Sequence, residues 1–352
     1  LEEGPLDHAR VGRPSRSLRL ATESAKVLGV VLDGEHLEVA AARLDGVPGN
    51  GTLETIPRPD SYDELIDALV QRLRPLIAKG PTTFGIGIST PGMIDHADQT
   101  VVLSPNLSIT NGRSPASDLQ QQLGVPCHMV QESHAMCLAE RLFAGAQQAA
   151  HFVILDATIG LGVGVMENDH LLLGHRGFAG ELGHITMQPD GLKCGCGNTG
   201  CLETLATDSA LARRIGKQLE KEISVGQMLE LVRAAPERFE AELDEAETWL
   251  AIALAAAINV FNPAMLFVHS QWAAAQSTRF QRVIERSGQR GRGFAPLRGE
   301  RGGRQRGVQR CERLQRLCLC RPVAFAYRVV AQYQVLTRAA RHVQRTFVQL
   351  LH

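Results

Sequence analysis

The stretch GFAGELGHITMQPDGLKCGCGNTGCLET, residues 177–204, carries the densest chemical signal in the chain. Three thiols, Cys194, Cys196 and Cys201, fall within eight residues, and His184 lies ten residues before the first of them. Zn²⁺ takes thiolate and imidazole ligands in closed tetrahedral sets, and three Cys with one His is an established structural type. Gly195, Gly197 and Gly200 give the backbone the freedom to turn closely spaced thiols toward one ion. The spacing predicts a structural zinc knot held by His184, Cys194, Cys196 and Cys201; the alternative is three buried free thiols in a tight turn. Glu181 and Glu203 bracket the knot. A metal-fixed scaffold would hold both as acceptors for hydroxyl groups, as a sugar site requires. Exposed surface glutamates are the plainer alternative.

Outward from the knot, FVILDATIGLGVGVM (152–166) reads as strand, glycine turn and strand, and residues 171–187 as a β-ribbon rich in Gly and His. Residues 202–235 read as helical. AETWLAIALAAAINV (246–260) reads as a buried helix ended by Asn262-Pro263, and MLFVHS as a strand. Toward the amino terminus, residues 26–58 alternate apolar and polar positions, a β-meander with a turn at Asp45-Gly46. Ser61 and Glu64 form a capping box before a helix with Leu65, Leu69, Leu73 and Leu76 on one face, closed by Pro81. FGIGIST (84–90) is a buried strand ending in Pro91-Gly92; a helix over 117–123, the strand VPCHMV and a helix over 134–144 follow. Strands mixed with helices over about 270 residues predict an α/β protein with two lobes.

The length of 352 residues suits two domains, and 44% apolar with 21% charged residues excludes bulk disorder. No apolar run reaches the length of about 18 residues that would span a membrane, and LEEGPLDHARVGRPSRS has no signal-peptide stretch. Eight cysteines in a chain this long do not make a disulfide scaffold, so the cytoplasm is the expected compartment. Basic and acidic residues balance at 37 each, but unevenly: residues 271–352 hold seventeen arginines, no lysine, no aspartate and three glutamates. After Ser270 no period of 2 or 3.6 is evident and the arginines are not set opposite acids. The preferred reading is a GC-rich gene read in a shifted frame; a basic nucleic-acid-binding tail and an odd but folded segment are the alternatives.

Taken together, GRPSRSLRL, STPGMID, SPNL, QESHAMCLAE, the glycine turn, the Cys/His block and AAINVFNPAMLFV resemble the ROK family of repressors, open reading frames and sugar kinases over about residues 11–270. The resemblance implies a two-lobed ribonuclease H-like, actin-like ATPase fold. Residues 1–25 would be the remnant of a winged-helix wing and linker, 26–130 the first lobe, 131–270 the second lobe with the zinc site, and 271–352 the atypical Arg-rich tail. It further implies that Asn106, Glu132, Glu181, His184 and Glu203 contact a sugar or amino sugar between the lobes, with His184 serving zinc through one nitrogen and sugar through the other.

Four departures from the kinases of that family weigh against use of ATP and Mg²⁺. Glu132 stands where the kinases place an Asp as general base, one methylene longer. In Val31-Leu32-Asp33-Gly34-Glu35, Val31 replaces the expected Asp, and Glu35 puts a carboxylate where Thr would face phosphate. Asp156…Gly160…Gly162 keeps part of the second phosphate motif, with Ile159 in place of Thr. His269-Ser270 replaces a Gly-Gly. Arg10, Arg13, Arg16 and Arg19 would place positive charge near DNA phosphates. The resemblance therefore points to the sugar-sensing part of a transcriptional regulator of xylose- or N-acetylglucosamine-repressor type, homo-oligomeric, reaching DNA only through a winged helix largely missing here. An ATP-dependent hexose kinase with Glu132 as base is the alternative.

Overall fold

The computed structural model describes residues 24–44, 53–143 and 146–290, with the backbone of short strands at 2–7, 15–19 and 318–319. The chain divides into two compact units that part between Ala139 and Glu140.

The first unit opens with a hairpin of β1 (Glu2–Asp7) and β2 (Ser15–Arg19). Its sheet is built from β3 (Ala25–Leu32), β4 (His36–Arg43), β5 (Glu54–Pro57), β6 (Thr82–Thr90) and β9 (Cys127–Gln131) in the order β5-β4-β3-β6-β9. The first three form an antiparallel meander, and β6 and β9 run parallel to β3. Between β6 and β9 lie a small ribbon, β7 (Met93–Asp95) with β8 (Thr100–Leu103), and helix α2 (Pro115–Leu123). Alternation puts Leu28, Val30, Leu32, Ile86, Ile88, Cys127 and Met129 into one core with Leu65, Leu69 and Leu73 of α1 (Tyr62–Ala78). The Ser61 hydroxyl accepts from the Glu64 amide and caps α1. Helix α3 (Glu132–Phe143) starts directly from β9.

The second unit repeats the pattern. β10 (Phe152–Asp156), β11 (Gly162–Glu167) and β12 (His170–Leu171) are antiparallel, while β13 (Met265–His269) and β14 (Cys318–Leu319) run parallel to β10. Numbered within each unit, both sheets read 3-2-1-4-5. Helices α4 (Glu203–Ala206), α5 (Asp208–Gln218), α6 (Val225–Ala234) and α7 (Glu240–Phe261) precede β13; α8 (Gln271–Ala275) and α9 (Ser277–Arg290) follow it. Asn262, at φ 44, ends α7 in the left-handed conformation, as Asn before Pro suggests.

Several expectations need correction. The ribbon over 171–187 ends at Leu171: Gly174, Arg176, Gly177 and Gly180 all take positive φ, which breaks a ladder, and Leu182–His184 is a 3-10 turn. The helical stretch 202–235 is three helices, interrupted at Thr207 and again before the Ser224 cap. Helix α1 ends at Ala78, before Pro81, and contains Pro75. Order does not stop at Ser270: Trp272, Phe280 and Val283 enter the core of the second unit with Leu250 and Leu254. Arg279, Arg282 and Arg286 of α9 do face acids, all on α7. Arg279 pairs with Glu240, Asp244 and Glu247, and Arg282 and Arg286 also reach the wholly buried Glu247. The Asp45-Gly46 turn, the side chains of Arg10, Arg13, Arg16 and Arg19, and most of the Arg-rich stretch after 290 lie outside the described residues. No described helix is long and apolar enough to cross a membrane.

Candidate functional site

The Cys/His block folds as a knuckle in the second unit. The amides of Met187 and Gln188 both donate to the Gly200 carbonyl, and Cys194 donates to that of Asn198. A Cβ on Gly200, at φ 70, would come within 1.5 Å of the Gln188 carbonyl oxygen, so only glycine closes this turn. The result gathers His184, Cys194, Cys196 and Cys201 with all ligand atoms within 4.8 Å of one another, a group able to hold a metal ion. Cys196 Sγ lies 3.8 Å from Cys201 Sγ, and Cys194 Sγ lies 3.7 Å from His184 Nδ1. Burial pushes the Cys194 and Cys201 thiols above their ordinary range.

The two neighbouring carboxylates are tied to the knuckle. His184 turns Nδ1 to the cysteines and Nε2 toward Glu181, whose Oε2 is 3.6 Å away. A carboxylate there fixes the ring orientation of a metal-binding imidazole. Glu203 Oε1 accepts from the Cys194 thiol at 3.3 Å, and Oε2 accepts from the Leu161 amide at 3.0 Å. Glu203 therefore joins the knuckle to the glycine turn that follows β10.

That turn holds a second cluster, at the carboxyl ends of β10 and β13. Asp156 Oδ1 accepts from the amide and hydroxyl of Thr158 and contacts His269 Nδ1 at 3.1 Å. Asp208, fully buried at the start of α5, accepts from the Ser270 hydroxyl at 2.6 Å and the Gln271 amide at 2.7 Å. Burial pushes the Asp208 carboxyl up to about 7, and nearby Asp156 adds to the rise. Sequence reading missed Asp208 and the Asp156–His269 contact. The only local signal was the capping sequence Thr207-Asp208-Ser209; the partners come from β13 and α8.

In the first unit the turn after β3 is likewise closed on itself. Asp33 Oδ1 accepts from the Glu35 and His36 amides, each at 2.7 Å. Asn106 is exposed and follows β8; a Cβ on Gly34 would lie 3.1 Å from its carbonyl oxygen. Glu132 is half-buried at the first position of α3. The expected sugar-contact residues thus divide: Asn106 and Glu132 stand on the first unit, and Glu181, His184 and Glu203 share one neighbourhood on the second.

With the knuckle and both turns in place, the chain matches the ROK family over residues 27–283. It belongs to the ROK family. The chain is 33% identical over 203 residues to the xylose repressor of Bacillus subtilis strain 168, covering 56% of this chain and 52% of that protein. It is 27% identical over 262 residues to the glucokinase of Thermotoga maritima, covering 69% and 81%. The solved structure of a ROK family transcriptional regulator, a homolog of the E. coli MLC protein, superposes with a TM-score of 0.72 at 23% identity, covering 92% of this chain and 81% of that one. The chain thus spans about half the length of the repressor that heads these relatives. Its fold is the α/β fold of the ROK sugar kinases and actin-like ATPases.

Proposed function

We propose that this ROK chain is the sugar-sensing part of a transcriptional regulator, with Asn106, Glu132, Glu181, His184 and Glu203 contacting a sugar or amino sugar and a Zn²⁺ ion held by His184, Cys194, Cys196 and Cys201. One observation favours this over phosphoryl transfer. In both turns where a kinase of this fold would offer backbone amides to phosphate, the amides are taken by the chain's own carboxylates: Asp33 in the first unit, Asp156 and Glu203 in the second. A triphosphate would have to displace three carboxylates that also repel it. These residues do not fit ATP. The hairpin of β1 and β2 is consistent with a wing remnant.

The donor set does fit zinc. Four ligands at Zn–S distances of about 2.3 Å leave neighbouring sulfurs about 3.8 Å apart in a tetrahedron, close to the separations of the paired donors here. The ion would be structural, as all four positions are filled by protein. It would hold Glu181 and Glu203 where a ligand hydroxyl meets them. Sugar occupancy would then bias the regulator between DNA-binding states through its difference in affinity for them.

The test is calorimetric titration of the full chain with xylose, glucose and N-acetylglucosamine, paired with an ADP-release assay under Mg-ATP. Saturable binding of one sugar with no sugar-dependent ADP release is the expected result. Hexose-dependent ADP release that disappears in Glu132→Gln would establish the kinase reading instead. Cys196→Ser should lose its zinc and much of the second unit's stability; undiminished zinc content in that variant would remove the zinc assignment.

A further inference from the structure

The first unit contains a polar cluster that none of the roles above uses. Seven side-chain atoms on six residues are buried there without a hydrogen-bond partner: the hydroxyls of Ser89, Thr90, Ser104 and Ser133, Nε2 of His96, and both ring nitrogens of His134. The topology brings their backbones to one end of the sheet. Ser89 and Thr90 end β6, whose parallel neighbour β9 puts Gln131 opposite Thr90 and leads straight into Ser133 and His134 on the first turn of α3. His96 and Ser104 lie just beyond β7 and β8. A Cβ on Gly92 would come within 2.7 Å of Ser104 Cβ, so the turn after β6 is pressed against the Ser104 segment. The His96 and His134 rings meet edge to face with centroids 5.9 Å apart. Burial, with His96 beside it, pulls His134 down to about 4, so the ring is neutral and carries one donor and one acceptor.

Buried polar groups in folded proteins are paired, by protein or by enclosed water, because an orphan retains its full desolvation cost. Here the orphans are concentrated, and hydroxyls and neutral imidazoles can both donate and accept. That is the setting in which a buried water finds the two to four partners it needs. We propose that these six side chains enclose an internal hydrated site, and that His134, bonded through it, is a positioning residue for Glu132 at the start of α3. Glu132 lies two residues before His134 on the first turn of α3, so whatever anchors His134 anchors the stretch of helix backbone from which that carboxylate projects. The positioning half rests on the sugar-contact reading of Glu132; the hydration half does not.

The test uses the full chain with ¹⁵N-labelled histidine. One neutral His134 tautomer that persists to pH 5, with a ring N–H cross-relaxing with long-lived water, is expected. A His134 that titrates near 6.5, or shows no water contact, overturns the hydrated site. For positioning, His134→Asn keeps a donor and an acceptor, and His134→Phe keeps bulk alone. The Asn variant should bind sugar within about threefold of the unmodified chain and the Phe variant about tenfold more weakly, the scale of one lost hydrogen bond. Equal affinities overturn the positioning role. Should the Phe variant fail to fold, Ser104→Ala replaces it: it should shift the His134 nitrogen resonances and weaken sugar binding, and unchanged values for both refute the proposal. A chain that binds none of the three monosaccharides removes the reading of Glu132, and positioning with it, while the water contact of His134 is still decided by the spectra.

Discussion

His134 and Asp208 are buried ionisable residues in different units, and burial moves them in opposite senses. His134 falls from 6.5 to about 4; Asp208 rises from 3.8 to about 7. Between about pH 4 and 6.5 the unfolded chain binds a proton at position 134 that the folded chain refuses, so this residue makes stability rise with pH. Over about pH 4 to 7 the folded chain keeps a proton on Asp208 that the unfolded chain has released, so this residue makes stability fall with pH. Each pH unit between the folded and unfolded values is worth about 1.4 kcal/mol, so the two effects, each on the order of a few kcal/mol, oppose one another. Single variants separate them. The stability of the unmodified chain minus that of His134→Asn should grow from pH 4 to 6.5, and minus that of Asp208→Asn should shrink from pH 4 to 7. Urea titrations at four pH values read both; parallel profiles for the three proteins would show that neither group departs from its ordinary range.

At the scale of elements, α9 is held to α7 by charge as well as by Phe280 and Val283. Glu247 is wholly buried and lies 2.6 Å from both Arg279 Nη1 and Arg282 Nη2. Removing one partner of a buried ion pair leaves the other desolvated and unpaired, at a cost of about 3 kcal/mol. Glu247→Gln should lose about 1–2 kcal/mol in urea unfolding, since Arg279 keeps Glu240 and Asp244 while Arg282 and Arg286 lose the acid they share; an unchanged midpoint would refute the contribution of the cluster. These same residues show where sequence reading failed. The Cys/His knuckle was legible because its ligands lie within eighteen consecutive residues and its glycines mark the turns. The meander and α1 were legible because alternation and leucine spacing are local signals. The arginines of α9 looked unmatched because their acids sit more than thirty residues earlier, on a helix whose alanine-rich second half drew attention from Glu240, Asp244 and Glu247. Asp208 and His134 carry no local signal for the same reason: their surroundings come from strands and loops distant in sequence. The ribbon expected after Leu171 failed differently, since nothing in its apolar pattern warned that Arg176 would take a positive φ.

For the molecule as a whole, the two units share one strand order, and each closes its core with helices that follow its strands. In the second unit this closure uses residues beyond Ser270. A chain stopped there would lose Trp272, Phe280 and Val283 from the core and leave Glu247 buried among α7 side chains without Arg279, Arg282 or Arg286. It would also free Asp208 of Ser270's neighbour Gln271 and strip α8 from its cap. A lost core aromatic alone costs about 3–5 kcal/mol, a large part of the whole stability of an ordinary domain. The chain ending at Ser270 should therefore fail to melt cooperatively, while a chain ending at Arg290 keeps a single sharp transition for the second unit. Differential scanning calorimetry of both chains beside the full one separates the outcomes. A cooperative transition in the shorter chain would mean that α8 and α9 are accessory and that the native pattern stops at β13. Loss of cooperativity only in the shorter chain would place any departure of the reading frame beyond Arg290, because Arg279, Arg282 and Arg286 converge on the acids of α7.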